Sequence, residues 1–86
     1  MIKKFEYTIK DQNGIHARPA GLLVKRAQGL SSRLNIECKG KTADLRKLLA
    51  LMGLGVRCGD TVTVTVEGDN SKEDAEQLEE FFKNNF

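Results

Sequence analysis

The stretch Thr61-Val62-Thr63-Val64-Thr65-Val66 alternates strictly between threonine and valine. Successive side chains of a β-strand point to opposite faces, so this pattern predicts a strand with a buried valine face and a hydrated threonine face. A sheet built around such a strand is covered by helices on one side and open to water on the other. Alternation also predicts strands over residues 4–9 and 32–38 and a short one near residues 42–43.

Apolar residues at helical spacing predict three helices among these strands. The first begins at Ala17 and ends at Gly29, because glycine favours helix termination. The second is short, and the third opens at Ser71, which we expect to form a capping box with Asp74. The three apolar stripes consist of Ala20, Leu23, Val24 and Ala27; of Leu45, Leu48, Leu49 and Met52, before Gly53 or Gly55; and of Ala75, Leu78 and Phe82 or Phe81.

The resulting element order is βαββαβα. We expect an α+β fold, an open-faced β-sandwich in which three helices cover one face of a four-stranded antiparallel sheet. A chain of 86 residues is long enough for one hydrophobic core and too short for two, so we expect a single domain over residues 1–86. The open face of the sheet is expected to carry Thr61, Thr63, Thr65, Lys4 and Glu6.

The composition is that of an ordinary globular protein, with 40% hydrophobic and 30% charged residues. No apolar run approaches the roughly 20 residues of a membrane span, and residues 1–20 lack a signal-peptide core. We therefore expect a complete, cytoplasmic chain without membrane insertion. Cys38 and Cys58 form no Cys-x-x-Cys pair, and a single histidine leaves too few ligands for zinc. We expect no metal and two reduced thiols, with a disulfide left open.

Charge is distributed unevenly, although its net value is only +2. Residues 1–66 hold twelve Lys and Arg against five Asp and Glu, whereas residues 67–86 hold two against seven. Nucleic-acid binding calls for exposed aromatic residues among basic ones, yet the chain has four Phe, one Tyr and no Trp. The basic part favours docking to an acidic protein or a phosphate, and a merely solvated surface is the alternative.

The heptapeptide Gly14-Ile15-His16-Ala17-Arg18-Pro19-Ala20 contains the only histidine and the only proline of the chain. The residues Asp11-Gln12-Asn13-Gly14 are typical of a turn, and we expect Gly14 to let the backbone turn sharply. The heptapeptide lies where a strand gives way to a helix, so we expect His16 to be the N-cap and residues 17–19 to form the first turn. Backbone N–H groups, the helix dipole and the Arg18 guanidinium can then converge on an anion. A neutral imidazole there is a nucleophile suited to phosphoryl transfer. From these residues alone, a helix cap beside a solvated arginine stays open.

This heptapeptide resembles the active-site signature of the HPr family, the histidine-containing phosphocarriers of the bacterial phosphoenolpyruvate-dependent sugar phosphotransferase system. The resemblance covers essentially the whole chain, including the element order, Gly40-Lys41-Thr42 and Leu54-Gly55. It implies that enzyme I phosphorylates His16 on Nδ1 and that enzyme IIA domains receive the group, with Ala17 and Arg18 binding the phosphate. It also implies a monomeric stoichiometric carrier, not an enzyme, without a cofactor.

The resemblance further implies a docking surface around the histidine. Its positions in this chain are Ala17, Gly21, Lys25, Leu48, Leu49 and Met52. Residues 45–54 are independently apolar over more of the helix circumference than one buried face requires, so part of this segment should be exposed for a partner. We expect Leu45 and Leu51 in the core and Leu48 and Met52 at the interface. A basic rim is expected from Arg18, Lys25, Arg26, Arg46 and Lys47.

One position departs from the family pattern. Lys47 stands at the start of the second helix, where many members have a regulatory serine modified by HPr kinase/phosphorylase. Lysine cannot accept that phosphate, so we expect no such control at this position. Two alternatives to the carrier remain: an HPr-like paralogue acting mainly as a phosphorylation-dependent regulatory binding module, and a generic α/β domain that binds RNA or metal. The lone histidine and the scarce aromatic residues disfavour the second alternative.

Overall fold

The computed structural model describes all residues of the chain, Met1–Phe86. Its strands are β1 (Ile2–Thr8), β2 (Arg33–Cys38), β3 (Lys41–Asp44) and β4 (Thr61–Glu67). Its helices are α1 (Ala17–Gln28), α2 (Leu48–Met52) and α3 (Ser71–Asn85). The element order is therefore the βαββαβα that the sequence predicts.

The four strands form one sheet in the order β1-β4-β2-β3, and every neighbouring pair is antiparallel. The register places Val64 of β4 opposite both Phe5 of β1 and Ile36 of β2, so apolar residues form a row on one face. Val62, Val64 and Val66 are fully buried, while the intervening threonines stay partly or fully exposed. The predicted open-faced sheet is confirmed.

The helices cover the valine face and complete the core. The buried positions of α1 are Ala20, Leu23, Val24 and Ala27. In α3, Leu78 and Phe82 are fully buried. The ring of Phe82 packs edge-on against Phe5 and Tyr7, with centroid distances of 5.8 Å to each. Aromatic quadrupoles favour this arrangement, which fixes α3 over β1.

The second helix is shorter than its apolar spacing predicted. It begins at Leu48, because the carbonyl of Asp44 accepts a hydrogen bond from the N–H of Lys47 (3.1 Å) and closes a turn ahead of the helix. Leu45 lies in that turn and is nevertheless fully buried, as is Leu51 inside the helix. Gly53 is the C-cap. The core assignments are thus confirmed, while the helix start was placed too early.

The predicted capping box at the start of α3 is wrong. Asn70 is the N-cap and makes no side-chain capping bond. The carboxylate of Asp74 instead accepts hydrogen bonds from the backbone N–H (3.1 Å) and the hydroxyl (2.5 Å) of Ser32. Asp74 and Ser32 are both buried, so the pair ties the first turn of α3 to the residue before β2.

Arg46 is not available for the basic rim that the sequence suggested. Its guanidinium donates hydrogen bonds of 2.6 Å to the carbonyls of Leu30 and Ser32. These carbonyls are backbone acceptors in the connection between α1 and β2, and each needs a hydrogen-bond donor. Arg46 therefore fastens that connection, and the rim contracts to side chains that remain free.

Candidate functional site

The connection between β1 and α1 is a compact turn that presents the histidine. Oδ1 of Asp11 accepts a hydrogen bond from the N–H of Asn13 (2.8 Å), and the Asp11 carbonyl accepts one from the N–H of Gly14 (2.9 Å). Gly14 has a φ of +63°, and a Cβ there would collide with the Val56 carbonyl. The predicted turn is confirmed, and its tightness explains the glycine.

Two other parts of the chain brace this turn. The N–H groups of Lys10 and Asp11 donate to the carbonyl oxygen of Phe86 (2.6 and 2.8 Å), whose side chain is buried. The N–H of Ile15 donates to the carbonyl of Val56 (3.1 Å), in the connection between α2 and β4. The residue before His16 is therefore fixed by a hydrogen bond, which sets the direction of the histidine.

The connection between α2 and β4 is itself closed by a charged group. Oδ2 of Asp60 accepts a hydrogen bond from the N–H of Arg57 (2.9 Å), and Oδ1 pairs with the Lys39 ammonium at 3.3 Å. The Arg57 hydrogen bond, with help from Lys39, lowers the pKa of Asp60 below its ordinary value. The carboxylate thus stays ionised well into the acid range and holds the turn beside Val56.

His16 is the N-cap of α1, as predicted. Its φ and ψ are −113° and 172°, and its carbonyl accepts the N–H of Ala20 (2.9 Å). The ring makes no capping hydrogen bond, and the first turn contains no acidic residue. The N–H groups of Ala17 and Arg18 therefore remain unpaired at the positive end of the helix, and Pro19 costs the helix no hydrogen bond.

The two nitrogens of the His16 ring have different surroundings. The side chain is 38% exposed, yet Nε2 is buried and has no hydrogen-bond partner. The nearest acidic atom to Nε2 is Oδ2 of Asp11, at 3.5 Å. Nδ1 is not among the buried unpaired atoms and accepts no hydrogen bond, so it is open to solvent. Of the two ring nitrogens, Nδ1 is thus the more accessible.

The predicted docking residues lie on the surface of α1 and α2, which pack against each other. Ala17, Lys25, Leu48 and Leu49 are exposed, and Gly21 and Met52 are half-buried. Leu49 is 86% exposed, an unusual value for leucine in a helix without a partner. A Cβ added at Gly21 meets no atom within 4 Å, so no other part of the chain covers the surface of α1 at this residue. These side chains thus lie on α1, which begins at Ala17 directly after His16, and on α2, which packs against it.

Charged side chains near the site are free. Arg18, Lys25 and Lys47 are exposed, and neither of the two ion pairs of the chain involves them. Lys47 is the N-cap of α2, with no side-chain capping bond and no acidic residue in the first turn. The guanidinium of Arg26 lies 5.8 Å from the Phe81 ring, on the side of α1 that faces α3.

Metal-ligating side chains do not converge anywhere in the chain, since no three His, Cys, Asp or Glu residues are suitably grouped. Both cysteines are free thiols, Cys38 buried and Cys58 exposed. Burial, followed by the nearby Asp60 charge, raises the pKa of Cys38, so this thiol stays protonated. No helix has the length and apolarity needed to cross a bilayer.

Sequence reasoning missed one residue of the site. Asp11 was assigned only to the turn, but its second carboxylate oxygen faces the histidine ring. A signal was present, because an aspartate that closes a turn through one oxygen leaves the other free to face a nearby side chain.

Fold and site together define a class of protein: a small open-faced sandwich with a solvent-accessible histidine nitrogen at the start of its first helix. A family model described as "PTS HPr component phosphorylation site" matches residues 3–84. The chain belongs to this family of the phosphotransferase system. Over the matched residues it is therefore a phosphocarrier, which takes up and hands on a phosphoryl group.

Individual relatives agree with this assignment. The HPr phosphocarrier of Bacillus anthracis str. Ames shares 30% identity and a TM-score of 0.88, covering 94% of this chain and 96% of that one. HPr-C-His of Thermoanaerobacter tengcongensis shares 33% identity and a TM-score of 0.90, with coverage of 95% and 92%. A multiphosphoryl transfer protein of Xanthomonas campestris pv. campestris is 37% identical over 71 residues, 83% of this chain but only 8% of that protein.

Proposed function

We propose that His16 carries the phosphoryl group and that Nδ1 is the acceptor atom. The unequal exposure of the two ring nitrogens supports this, because Nε2 is enclosed while Nδ1 faces solvent. The Nδ1 lone pair attacks the phosphorus of phosphorylated enzyme I. A P–N bond forms as the bond from phosphorus to the donor atom breaks, and the donor keeps that electron pair. Transfer to an enzyme IIA domain then repeats this exchange with His16 as the donor.

The start of α1 stabilises the added charge in this proposal. The free N–H groups of Ala17 and Arg18 and the Arg18 guanidinium are the donors closest in sequence to the phosphorylated ring. No ion pair within the chain occupies Arg18. Donors held in place before transfer stabilise a developing phosphoryl charge without further reorganisation. Arg18 is therefore assigned to phosphate binding rather than to docking alone.

Partners dock on the bare surface beside the histidine. This surface comprises Ala17, Gly21, Lys25, Leu48, Leu49 and Met52, and it combines exposed leucines with a lysine. Apolar contacts at the centre and charged groups at the edge are the usual arrangement of a transient interface. Enzyme I and enzyme IIA domains use the same surface, one after the other. The carrier that meets them is monomeric and cytoplasmic in this proposal. Because the histidine sits beside it, docking brings the donor or acceptor atom to Nδ1.

The carrier assignment is tested with purified chain, enzyme I, magnesium and phosphoenolpyruvate. We expect a gain of one phosphoryl mass that is labile to acid, and loss of that mass when an enzyme IIA domain is added. The variant His16→Ala should gain nothing, whereas Arg18→Ala should gain the same mass more slowly. Absence of any gain from an enzyme I that phosphorylates another HPr would refute the proposal, as would full phosphorylation of His16→Ala.

A further inference from the structure

The enclosed nitrogen of His16, Nε2, faces the carboxylate of Asp11 in the turn before α1. A buried polar atom without a hydrogen bond costs stability, and Nε2 is the one such side-chain atom in the chain. Oδ2 of Asp11 lies 3.5 Å from Nε2, beyond the usual N–H···O distance of about 2.9 Å. The carboxylate therefore faces the ring without forming a short hydrogen bond.

The position of this carboxylate is set by the turn. Oδ1 of Asp11 is taken by the N–H of Asn13, and the backbone N–H of Asp11 donates to Phe86. The Asp11 carbonyl accepts the N–H of Gly14. The backbone N–H, the carbonyl and Oδ1 of Asp11 are thus all hydrogen-bonded. Oδ2 is the oxygen left without a hydrogen bond, and it faces Nε2.

We propose that Asp11 is a positioning residue that keeps the neutral His16 ring in the tautomer with its proton on Nε2. A neutral imidazole has one proton for two nitrogens, and a carboxylate can only accept a hydrogen bond. A proton on Nε2 places a positive N–H group opposite the Asp11 carboxylate and leaves the lone pair on the exposed Nδ1. The inference rests on the proposed role of His16 and explains why Nδ1 is ready to react.

The same contact accompanies the transfer itself. As the P–N bond forms at Nδ1 and the bond to the donor atom breaks, the proton on Nε2 stays in place. The ring becomes an imidazolium, and the Asp11 carboxylate is the anion that faces it. No other proton acceptor is required, and the reverse transfer restores the neutral ring. Asp11 thus acts through the histidine and does not touch the phosphoryl group.

The variant Asp11→Asn inverts this arrangement with little change of shape. Its Oδ1 still accepts from the N–H of Asn13, so the amide nitrogen replaces Oδ2 opposite the ring. An amide nitrogen only donates, so Nε2 must offer its lone pair and the proton moves to Nδ1. We expect the two-bond 1H–15N NMR pattern to change from an Nε2-protonated ring to an Nδ1-protonated one. Phosphoryl uptake should slow about tenfold as the competent tautomer becomes scarce.

Asp44→Asn is a closely matched control. Oδ1 of Asp44 accepts the N–H of Arg46 (2.8 Å), and its carbonyl accepts the N–H of Lys47 (3.1 Å), so the turn repeats that of Asp11. Asp44 forms no ion pair with His16. We expect the wild-type tautomer and uptake rate in this variant. An equal slowing of both variants would show that lost charge, and not the histidine contact, governs the rate, and would overturn the proposal.

The tautomer can also be read in the wild-type protein without any variant. A ring protonated mainly on Nδ1 would overturn the proposal at once, as would an Asp11→Asn protein with an unchanged tautomer or an unchanged rate. Failure of the proposed function looks different, because the wild type would then take up no phosphoryl group whatever its tautomer. Asp11→Ala provides a second folded-state test, with an increased fraction of the Nδ1-protonated ring and slower uptake.

Discussion

Two glycines in the connections on either side of the Ile15–Val56 hydrogen bond adopt almost the same left-handed backbone, but only one is crowded. Gly14 has a φ of +63° and Gly55 one of +64°. A Cβ at Gly14 would overlap the Val56 carbonyl and approach Cα of Arg57, whereas a Cβ at Gly55 meets nothing within 4 Å. The left-handed conformation alone costs an L-residue about 1–2 kcal/mol.

We expect Gly55→Ala to lower the free energy of unfolding by about 1–2 kcal/mol and Gly14→Ala by about 3 kcal/mol or more. The excess measures the contact between the two connections that carry His16 and Val56. Urea denaturation of both variants, followed by circular dichroism, gives the two values. Equal losses would show that the approach to Val56 relaxes without cost and that conformation alone requires Gly14.

Residue roles could be predicted from the sequence where the partner lies within a few positions. His16 as N-cap, Pro19 in the first turn and Gly14 in a tight turn depend on neighbouring backbone, and all three are confirmed. Asp74 could not be predicted, because its partner Ser32 lies 42 positions away and a capping box was the local alternative. The Asp11 contact is close in sequence, but it appears only once the turn has fixed which oxygen is free.

At the scale of elements, α2 is the helix with the least stabilisation of its own, because it is short and has no side-chain cap. It spans five residues, and its N-cap Lys47 supplies no side-chain acceptor to the first turn. A helix this short depends on its contacts and caps more than on propensity. A lysine at a helix start also places a positive charge against the positive end of the helix dipole. The partner docking that we propose gives a reason to have a lysine there despite this cost.

We expect Lys47→Ser to raise the free energy of unfolding by about 1 kcal/mol, because serine accepts a hydrogen bond from the first turn. Lys41→Ser, an equal loss of charge at an exposed position of β3, should change it by less than about 0.5 kcal/mol. Thermal and urea denaturation of the two variants provide the comparison. If both proteins gain the same stability, relief of charge repulsion is the cause and the missing cap is not.

Helices and strands could be predicted from the sequence where one face of the element is buried, because one-sided burial gives a periodic hydrophobic pattern. The alternation in β4 predicted both the strand and the side that is buried. This worked because β4 lies between β1 and β2, so its valine face is covered by the core along the whole strand. The start of α2 was not predictable in this way. Leu45 continues the helical spacing and is buried, yet it belongs to the turn closed by Asp44. A hydrophobic pattern records burial, and a turn can bury a leucine as well as a helix can.

At the scale of the whole molecule, the uneven distribution of charge offers a way to test whether basic residues serve docking or only keep the surface hydrated. The basic Lys25 lies in the last turn of α1, the helix that His16 caps, while the acidic residues of the C-terminal part lie largely on α3. Opposite charge on a partner speeds association and makes it sensitive to salt. The location of a lysine should therefore matter more than its contribution to the net charge of +2.

Lys25→Glu and Lys72→Glu test this, since both residues are exposed helical lysines and each variant lowers the net charge by two. We expect the second-order rate of phosphoryl uptake from enzyme I to fall about tenfold for Lys25→Glu at low salt and less than about twofold for Lys72→Glu. Raising the salt from about 0.05 M to about 0.5 M should bring the three proteins closer together, because screening removes the electrostatic part of association. Rapid-quench kinetics provide the rates. If the two variants slow equally, net charge governs the encounter and Lys25 has no particular place in docking.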